Sequence, residues 1–297
     1  MTAGYDVVFC HRWLDAHPLE RTLPPPAAAL HPLYVMRIAA AFVARHAPAA
    51  RIVVLTDDAG RLRGRIPGAV VEERDLGTPE TLQLGRTRAY RDFLAEHAAA
   101  ADGTGAVFLD TDALALRELG PLFERPFDVA LTYLAEALEP PPAALDEWGL
   151  PTDRRLSAIN FGVMAARYGT AAVAFFDAAL ERFAAIAAAG DSFLSGARNT
   201  FSGAGGAAAT MRIGDVRTWG GGQFALTSLM SAQLFRGLAP ESMVAGARVL
   251  LLPDSAWNYS PPPGRFTPDM LEGRWVLHLK GARKAQIGAI AAWFAIG

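Results

Sequence analysis

The sequence of 297 residues lacks the marks of several large classes of protein. It has a single cysteine, Cys10, which excludes an intrachain disulfide and a four-cysteine zinc site. Its 28 basic and 30 acidic residues give a net charge of −2, without the basic excess of a general nucleic-acid binder. No apolar run reaches the roughly 18–20 residues that span a bilayer, and residues 1–6 carry no signal-peptide pattern. We therefore expect a cytoplasmic protein with no integral membrane segment and no nucleic-acid partner.

The sequence does have enough apolar material for a large core. Hydrophobic residues make up 52% of the chain and charged residues 20%, which excludes wholesale disorder. No internal repeat and no clean linker interrupts it. We expect one domain over residues 1–297, divided into two sub-halves, 1–112 and 113–297.

The first half alternates between strand and helix patterns. Short apolar runs at 6–10, 51–56, 69–72 and 106–109 predict strands, and residues 33–46 and 80–97 repeat apolar positions at helical spacing. This alternation is typical of an α/β fold with a parallel, Rossmann-like sheet flanked by helices. Such sheets bind their ligands beyond the carboxyl ends of the strands, where His11, Asp57, Asp110 and Asp112 lie in the sequence.

The second half is less regular and predicts a mixed extension of the sheet. Strands are expected at 128–134, 157–166, 248–252 and 275–280, and helices at 169–189, 223–236 and 285–296. Residues 190–222 are rich in glycine and serine, which is compatible with a mobile lid.

Asp110 and Asp112 end the apolar run at 106–109. Because residues i and i+2 of a strand face the same side, the two carboxylates can converge on one point. Paired carboxylate oxygens suit Mg²⁺ or Mn²⁺, which complete their shells with phosphate oxygens and water. In the alternative interpretation, Asp112 merely caps a following turn.

A second constellation lies near the C-terminus, in His278-Leu-Lys280-Gly281-Ala-Arg-Lys284. The sequence has only two lysines, and both fall in this segment. A neutral imidazole can bind a divalent ion, an ammonium can hold a phosphate, and Gly281 permits close approach of the backbone to an anion. On a continuous strand His278 and Lys280 would share one face. A surface basic patch before a terminal helix is the alternative.

Four segments together resemble the GT-A glycosyltransferases, in particular family 8 and related nucleotide-diphospho-sugar transferases. These are the apolar strand closed by Asp110-Thr-Asp112, Arg86 on the preceding helix, Asn160-Phe-Gly162, and the segment that begins at His278. They occur in the family's order over nearly the whole chain. The resemblance implies a GT-A fold, with 1–112 as the nucleotide-binding half and 113–297 as the half for sugar and acceptor.

The resemblance also implies a role for each matching residue. The metal ligands for Mn²⁺ or Mg²⁺ would be Asp110, Asp112 and His278. The diphosphate would be held by Lys280, Gly281 and Lys284, with Lys280 as the main contact. The donor sugar would be contacted by Asn160 and Arg86. Asp110 would also lie near the ribose. His11 and Asp57 are expected beside the base or ribose of the nucleotide.

The implied reaction is transfer of a sugar from a nucleotide-diphosphate sugar, most simply a UDP-sugar, to an acceptor hydroxyl with retention of configuration. Gln223 would lie beside the anomeric carbon, but Gly222 stands where the family often has aspartate.

Two alternative functions stay open. A sugar-phosphate nucleotidyltransferase would need a glycine-rich loop after the first strand, and residues 10–13 lack it. A non-catalytic nucleotide-sugar-binding protein is compatible with Gly222.

Overall fold

The structure, a computed structural model, describes residues 4–13, 31–78, 81–99, 104–152, 157–190, 198–199, 209–210, 220–262 and 266–296. Within these ranges, none of the helices has the length and apolar character needed to cross a membrane. The predicted lid at 190–222 lies mostly outside the described residues.

Twelve strands and eight α-helices are described. The strands are β1 Tyr5–His11, β2 Ala50–Thr56, β3 Val70–Glu73, β4 Gly105–Leu109, β5 Ala113–Ala115, β6 Val129–Tyr133, β7 Ile159–Arg167, β8 Arg198–Asn199, β9 Ala209–Thr210, β10 Glu241–Val244, β11 Ala247–Pro253 and β12 Val276–His278. The helices are α1 Pro32–His46, α2 Ala59–Leu62, α3 Leu82–His97, α4 Thr170–Ala189, α5 Gly221–Leu229, α6 Ser231–Phe235, α7 Asp254–Trp257 and α8 Ile287–Trp293.

Eight strands form one central sheet in the order β10-β11-β6-β7-β4-β1-β2-β3. The pairs β1–β2, β1–β4, β2–β3 and β6–β11 are parallel. The antiparallel pairs β4–β7, β6–β7 and β10–β11 all involve strands of the second half. The predicted α/β class, with a Rossmann-like first half and a mixed second half, is confirmed. The single-domain organisation over 1–297 stays a prediction, although strands of both halves share this sheet.

Helices cover both faces of the sheet because its central strands are buried along their whole length, as in β4 and most of β7. On one face, α1 and α8 pack with β5 and β12, and the buried side of α1 includes Met36, Ala40 and Val43 at helical spacing. On the other face, α3, α4 and α5 enclose a cluster of aromatic side chains that includes Tyr90, Phe108 and Phe176.

Three boundaries in the second half differ from the sequence predictions. The helix expected at 223–236 is divided into α5 and α6 at Met230. The strand expected at 275–280 ends at His278, because Gly281 turns with φ of +59° and begins a 3-10 helix that runs to Gln286. The helix expected at 285–296 is consequently shorter, and α8 begins only at Ile287.

Candidate functional site

A short two-stranded sheet brings the acidic pair and His278 together. Asp110 and Asp112 occupy the turn between β4 and β5, and β5 pairs with β12 in antiparallel register, with His278 opposite Ala113. A backbone hydrogen bond of 3.0 Å from the Leu279 N–H to the Asp112 carbonyl fixes the end of this pairing. Two segments more than 160 residues apart in the sequence therefore meet at the carboxyl edge of the central sheet.

The three side chains offer their ligand atoms to one point. The Nε2 of His278 lies 3.1 Å from Oδ1 of Asp112 and 3.5 Å from Oδ2 of Asp110. One ligand atom from each residue lies within 4.8 Å of the other two. Two carboxylate oxygens and an imidazole nitrogen form a donor set that suits Mn²⁺ or Mg²⁺, ions that usually complete their shells with substrate oxygens and water. The residues present therefore fit the cation implied by the resemblance.

Two cations flank this acidic group. The Nζ of Lys284 lies 3.2 Å from Oδ2 of Asp112, and the Arg86 guanidinium donates a hydrogen bond to Oδ1 of Asp110. Burial raises the pKa of Asp112, but the neighbouring Lys284, followed by His278, outweighs burial and holds that pKa below its ordinary value. Asp112 is thus an ionised carboxylate at neutral pH, in the state that a divalent ion requires.

Gly162 on β7 makes room for the imidazole. A methyl group at this position would lie 2.2 Å from Cε1 and 2.4 Å from Nδ1 of His278, and 3.1 Å from Oδ2 of Asp110. The carbonyl of Gly162 also accepts a hydrogen bond of 2.9 Å from the Asp110 N–H. The glycine of the Asn160-Phe-Gly162 segment therefore makes room for the group formed by Asp110, Asp112 and His278.

Arg86 and Asn160, both predicted to contact the donor sugar, make contacts within the protein. Arg86 lies on α3 with its guanidinium 4.3 Å from the centre of the Phe161 ring, in addition to its bond with Asp110. The side-chain oxygen of the buried Asn160 accepts a hydrogen bond of 3.1 Å from the Gly162 N–H. Both residues lie close to the group formed by Asp110, Asp112 and His278, and their role toward a sugar stays a prediction.

Gly222 and Gln223 lie in the first turn of α5, close to the same region. A methyl group on Gly222 would lie 3.3 Å from the Phe161 ring and 3.6 Å from Oε1 of Gln83. This Oε1 atom is buried and has no hydrogen-bond partner among the described residues. Gly222 is therefore packed against Phe161, and the proximity of Gln223 to an anomeric carbon is untested.

Lys280 does not share a strand face with His278, because β12 ends before it. Burial lowers the pKa of Lys280, while nearby Asp254, followed by Asp110 and Asp112, acts in the opposite direction. Lys280 thus lies near the acidic group, but Lys284 rather than Lys280 forms the ion pair with Asp112. Gly281 adopts the left-handed conformation that glycine favours, and this turn separates the two lysines.

His11 and Asp57, the candidates for nucleotide contact, follow β1 and β2 at the same edge. Burial lowers the pKa of His11 to about 4, and its Nε2 has no hydrogen-bond partner in the described part of the chain. Both carboxylate oxygens of Asp57 contact other residues of the protein. Its Oδ1 accepts a hydrogen bond of 2.9 Å from the Trp13 N–H, and its Oδ2 lies 3.6 Å from Nε of Arg12. The rings of His11 and Trp13 are nearly perpendicular, with 5.2 Å between their centres.

Two functional candidates escaped the sequence analysis. Asn258 and Thr132 are fully buried polar residues that connect His278 to the central sheet by side-chain hydrogen bonds. Asn258 follows α7 and Thr132 lies inside the apolar strand β6. A polar residue in an otherwise buried strand is the one signal that could have singled out Thr132.

No protein-family model matches the chain, and no curated protein matches it either. Among solved structures, it is similar to the galactosyltransferase LgtC in complex with donor and acceptor sugar analogs, with 13% identity, a TM-score of 0.47 and coverage of 97% of this chain and 95% of that one. It is also similar to the glycosyltransferase GlyE of Streptococcus pneumoniae TIGR4, with 14% identity and a TM-score of 0.44, covering 92% of this chain and 54% of that one. Both are glycosyltransferases, the class that the motifs of this chain resemble.

Proposed function

We propose that this protein is a metal-dependent glycosyltransferase that moves a sugar from a nucleotide-diphosphate sugar, with a UDP-sugar as the expected donor, to an acceptor hydroxyl. The observation that carries the proposal is the convergence of Asp110, Asp112 and His278 at the carboxyl edge of an α/β sheet, with two lysines beside them. The expected ion is Mn²⁺ or Mg²⁺, because hard oxygen donors dominate the group.

The charges around the group suit departure of a nucleoside diphosphate. A bound divalent ion supplies positive charge that stabilises the leaving diphosphate as the glycosidic bond breaks. Lys284, held 3.2 Å from Asp112, stands at the rim of the group, where its ammonium can attract phosphate oxygens. Lys280 adds a second positive charge nearby. Such charge, fixed before the reaction, is the main means by which a protein lowers the barrier for an anionic leaving group.

The sugar and acceptor are proposed to lie on the side of Phe161. Arg86 and Asn160 lie along this side, and Gln223 lies in the first turn of α5, next to Gly222, which packs against Phe161. In the proposed arrangement Gln223 faces the anomeric carbon, which develops oxocarbenium character during transfer. His11 and Asp57 lie at the ends of β1 and β2, where the base and ribose of the nucleotide are expected. Retention of anomeric configuration is proposed on the family resemblance alone.

A donor screen tests the proposal. Release of UDP, GDP or CMP from a panel of nucleotide sugars is measured with Mn²⁺ present and after removal of metal by a chelator. We expect slow UDP release that the chelator abolishes, and loss of that release to background in Asp112→Asn. Asp269→Asn, an exposed aspartate in a 3-10 helix, is the matched control and is expected to retain the wild-type rate.

The screen also separates the alternatives. A protein that binds UDP-sugars but releases no UDP is the non-catalytic binding protein. A protein that forms pyrophosphate from a nucleoside triphosphate and a sugar phosphate is the nucleotidyltransferase. Release of UDP at an equal rate with and without chelator contradicts the metal-dependent mechanism.

A further inference from the structure

We propose that Asn258, held by Thr132, is a positioning residue that fixes the ring of His278 with its Nε2 lone pair directed at the carboxylates of Asp110 and Asp112. This inference rests on the proposed metal-binding role of the three ligands. It assigns a function to two buried residues that touch neither the cation nor the substrate.

The geometry is a chain of hydrogen bonds through the protein interior. The Nδ1 of His278 lies 2.8 Å from Oδ1 of Asn258, and the Nδ2 of Asn258 lies 2.9 Å from Oγ1 of Thr132. The Thr132 hydroxyl in turn lies 3.0 Å from the carbonyl of Asn160 and 3.1 Å from that of Val163. All three side chains are buried: His278 is 4% exposed, and Asn258 and Thr132 are both 0% exposed.

The donor and acceptor of each hydrogen bond in this series can be deduced by starting from the carbonyls of Asn160 and Val163. A carbonyl oxygen can only accept, so the Thr132 hydroxyl donates its one proton to Asn160 or Val163. Its oxygen must then accept from Asn258, which places the Nδ2 amide protons of Asn258 toward Thr132. The Oδ1 of Asn258 therefore faces His278, and Nδ1 of the imidazole must be its donor. In the neutral ring Nε2 is left as the acceptor, the form in which histidine binds a metal.

A register shift in the central sheet positions the carbonyls that end this series of hydrogen bonds. The register between β6 and β7 shifts between Leu131 and Thr132, so that Leu131 pairs with Met164 while Thr132 pairs with Asn160. The extra β7 residues include Gly162, which contacts the His278 ring. The same bulge therefore provides the carbonyls that orient Thr132 and the space that receives the imidazole.

The backbone holds both ends of the contact in place. The N–H of His278 donates to the Tyr259 carbonyl at 2.7 Å, and the Tyr259 N–H donates to the Val276 carbonyl at 3.0 Å. Asn258 and His278 are thus neighbours by backbone pairing as well as by side-chain contact. The Ser260 hydroxyl donates to the His278 carbonyl at 2.7 Å, so the hydrogen bond of Ser260 is made with the backbone of His278 and not with a ring nitrogen.

The test compares Mn²⁺ affinity, measured by electron paramagnetic resonance of the free ion, among four variants of the full chain without any donor. We expect Asn258→Ala to weaken binding about 10- to 100-fold. Thr132→Val should weaken it less and Thr132→Ser should restore it, because only serine keeps the hydroxyl. Ser260→Ala is the matched control and should stay within about twofold of wild type, since it leaves the ring contact intact.

A second readout reports the ring itself. Nitrogen-15 spectra of histidine-labelled protein, recorded with Mg²⁺ and, without metal, over a series of pH values, should show the proton of the singly protonated His278 ring on Nδ1. Should Asn258→Ala fail to fold, the Thr132→Val and Thr132→Ser pair and the wild-type spectrum carry the test.

Failure of this inference and failure of the proposed function give different results. Wild-type protein that binds Mn²⁺ while Asn258→Ala binds it equally well overturns the positioning role alone. A proton on Nε2 in the neutral wild-type ring overturns it as well. Wild-type protein that binds no Mn²⁺ contradicts the proposed function, and the ring spectrum then decides the positioning role by itself.

Discussion

Each end of the central sheet carries a cluster of polar side chains built around a buried aspartate, Asp6 at one end and Asp112 at the other, but the two clusters are built in opposite ways. At the amino end, Asp6 on β1 faces Arg51 in register on β2, and both of its oxygens bond with the guanidinium at 2.6 and 2.8 Å. The Tyr168 hydroxyl donates a further hydrogen bond to Asp6. At the carboxyl end, Asp110, Asp112 and His278 direct three ligand atoms at one another.

The comparison distinguishes a structural cluster from a ligand site. Donors and acceptors are matched around Asp6, so nothing further is needed to satisfy its charge. Lys284 pairs with Oδ2 of Asp112 and Arg86 with Oδ1 of Asp110, which leaves Oδ1 of Asp112 and Oδ2 of Asp110 facing Nε2 of His278 at 3.1 and 3.5 Å. When the ring is neutral and its proton is on Nδ1, these three atoms are all acceptors, so a cation is the group that would satisfy them together. Burial and acidity are common to both clusters, and the matching of donors to acceptors is what separates them.

The largest effect is expected for Gly162→Ala, which should displace the His278 ring and disrupt the proposed metal site. The added methyl would lie 2.2 Å from the His278 ring, so the imidazole must move away from Asn258 and the carboxylates. We expect at least a 10-fold loss of Mn²⁺ affinity and a destabilisation of about 1–3 kcal/mol from overpacking. Gly169→Ala, where a methyl would meet nothing within 4 Å, is the control. Unchanged Mn²⁺ affinity in Gly162→Ala would show that the ring position is not critical.

Asp6→Asn breaks the other cluster and should affect stability rather than binding. The amide cannot hold the charge of Arg51 and must rearrange its bond with Tyr168, at a cost of about 1–3 kcal/mol. Arg51 is half exposed, which keeps the cost below that of a fully buried pair. Urea denaturation measures the change, and Mn²⁺ affinity per folded molecule should equal that of wild type. Reduced Mn²⁺ affinity in the folded variant would mean that the two ends of the sheet are coupled.

His11 sharpens the comparison because it is buried and its Nε2 has no hydrogen-bond partner among the described residues. Its pKa is lowered to about 4, below the ordinary value of 6.5, so the unfolded chain takes up a proton at a pH where the folded protein does not. The contribution of His11 to the free energy of unfolding should therefore fall as the pH drops from 6.5 toward 4. Between pH 7.5 and 5.5 the loss is about 1 kcal/mol.

The measurement is urea denaturation of wild type and His11→Phe at several pH values. The difference between the two proteins should change in this window, with the wild type losing more stability on acidification. Parallel pH profiles would show that His11 is protonated alike in the folded and unfolded states.

The smallest effect is the expected difference in UDP affinity between substitutions of the two lysines. Lys284 is paired with Asp112 at 3.2 Å, whereas Lys280 lies beyond the end of β12 near Asp254. Lys284→Ala should therefore weaken UDP binding several-fold in the presence of Mn²⁺, and Lys280→Ala should weaken it less. This reverses the order that a shared strand face for His278 and Lys280 would give. Isothermal titration with UDP measures both, and a larger loss for Lys280→Ala would restore the sequence-based order.

The sequence was sufficient to predict the α/β class and the three metal-ligand candidates. The alternation of strands and helices in residues 1–112 is a local pattern, and Asp110 and Asp112 follow a strand that is apolar along its length. His278 was singled out by its neighbours, Lys280 and Lys284, which are the only lysines of the chain.

The remaining features depend on contacts that no local pattern encodes. The end of β12 at His278 follows from the turn at Gly281, and the clearance at Gly162 follows from a bulge whose partner strand lies about 30 residues away. The Thr132–Asn258–His278 chain joins residues separated by 126 and 20 positions. Sequence periodicity predicts which face of an element is buried, but not which polar atoms meet inside the protein.

The most direct test of the central claim is a crystal structure of the protein with Mn²⁺ and UDP, with the ion located by its anomalous scattering. The account predicts one strong anomalous peak about 2–2.3 Å from a carboxylate oxygen of Asp110 and of Asp112 and from Nε2 of His278, with the diphosphate of UDP touching the same ion. An ion bound elsewhere, or UDP bound with its diphosphate away from these three residues, would contradict it.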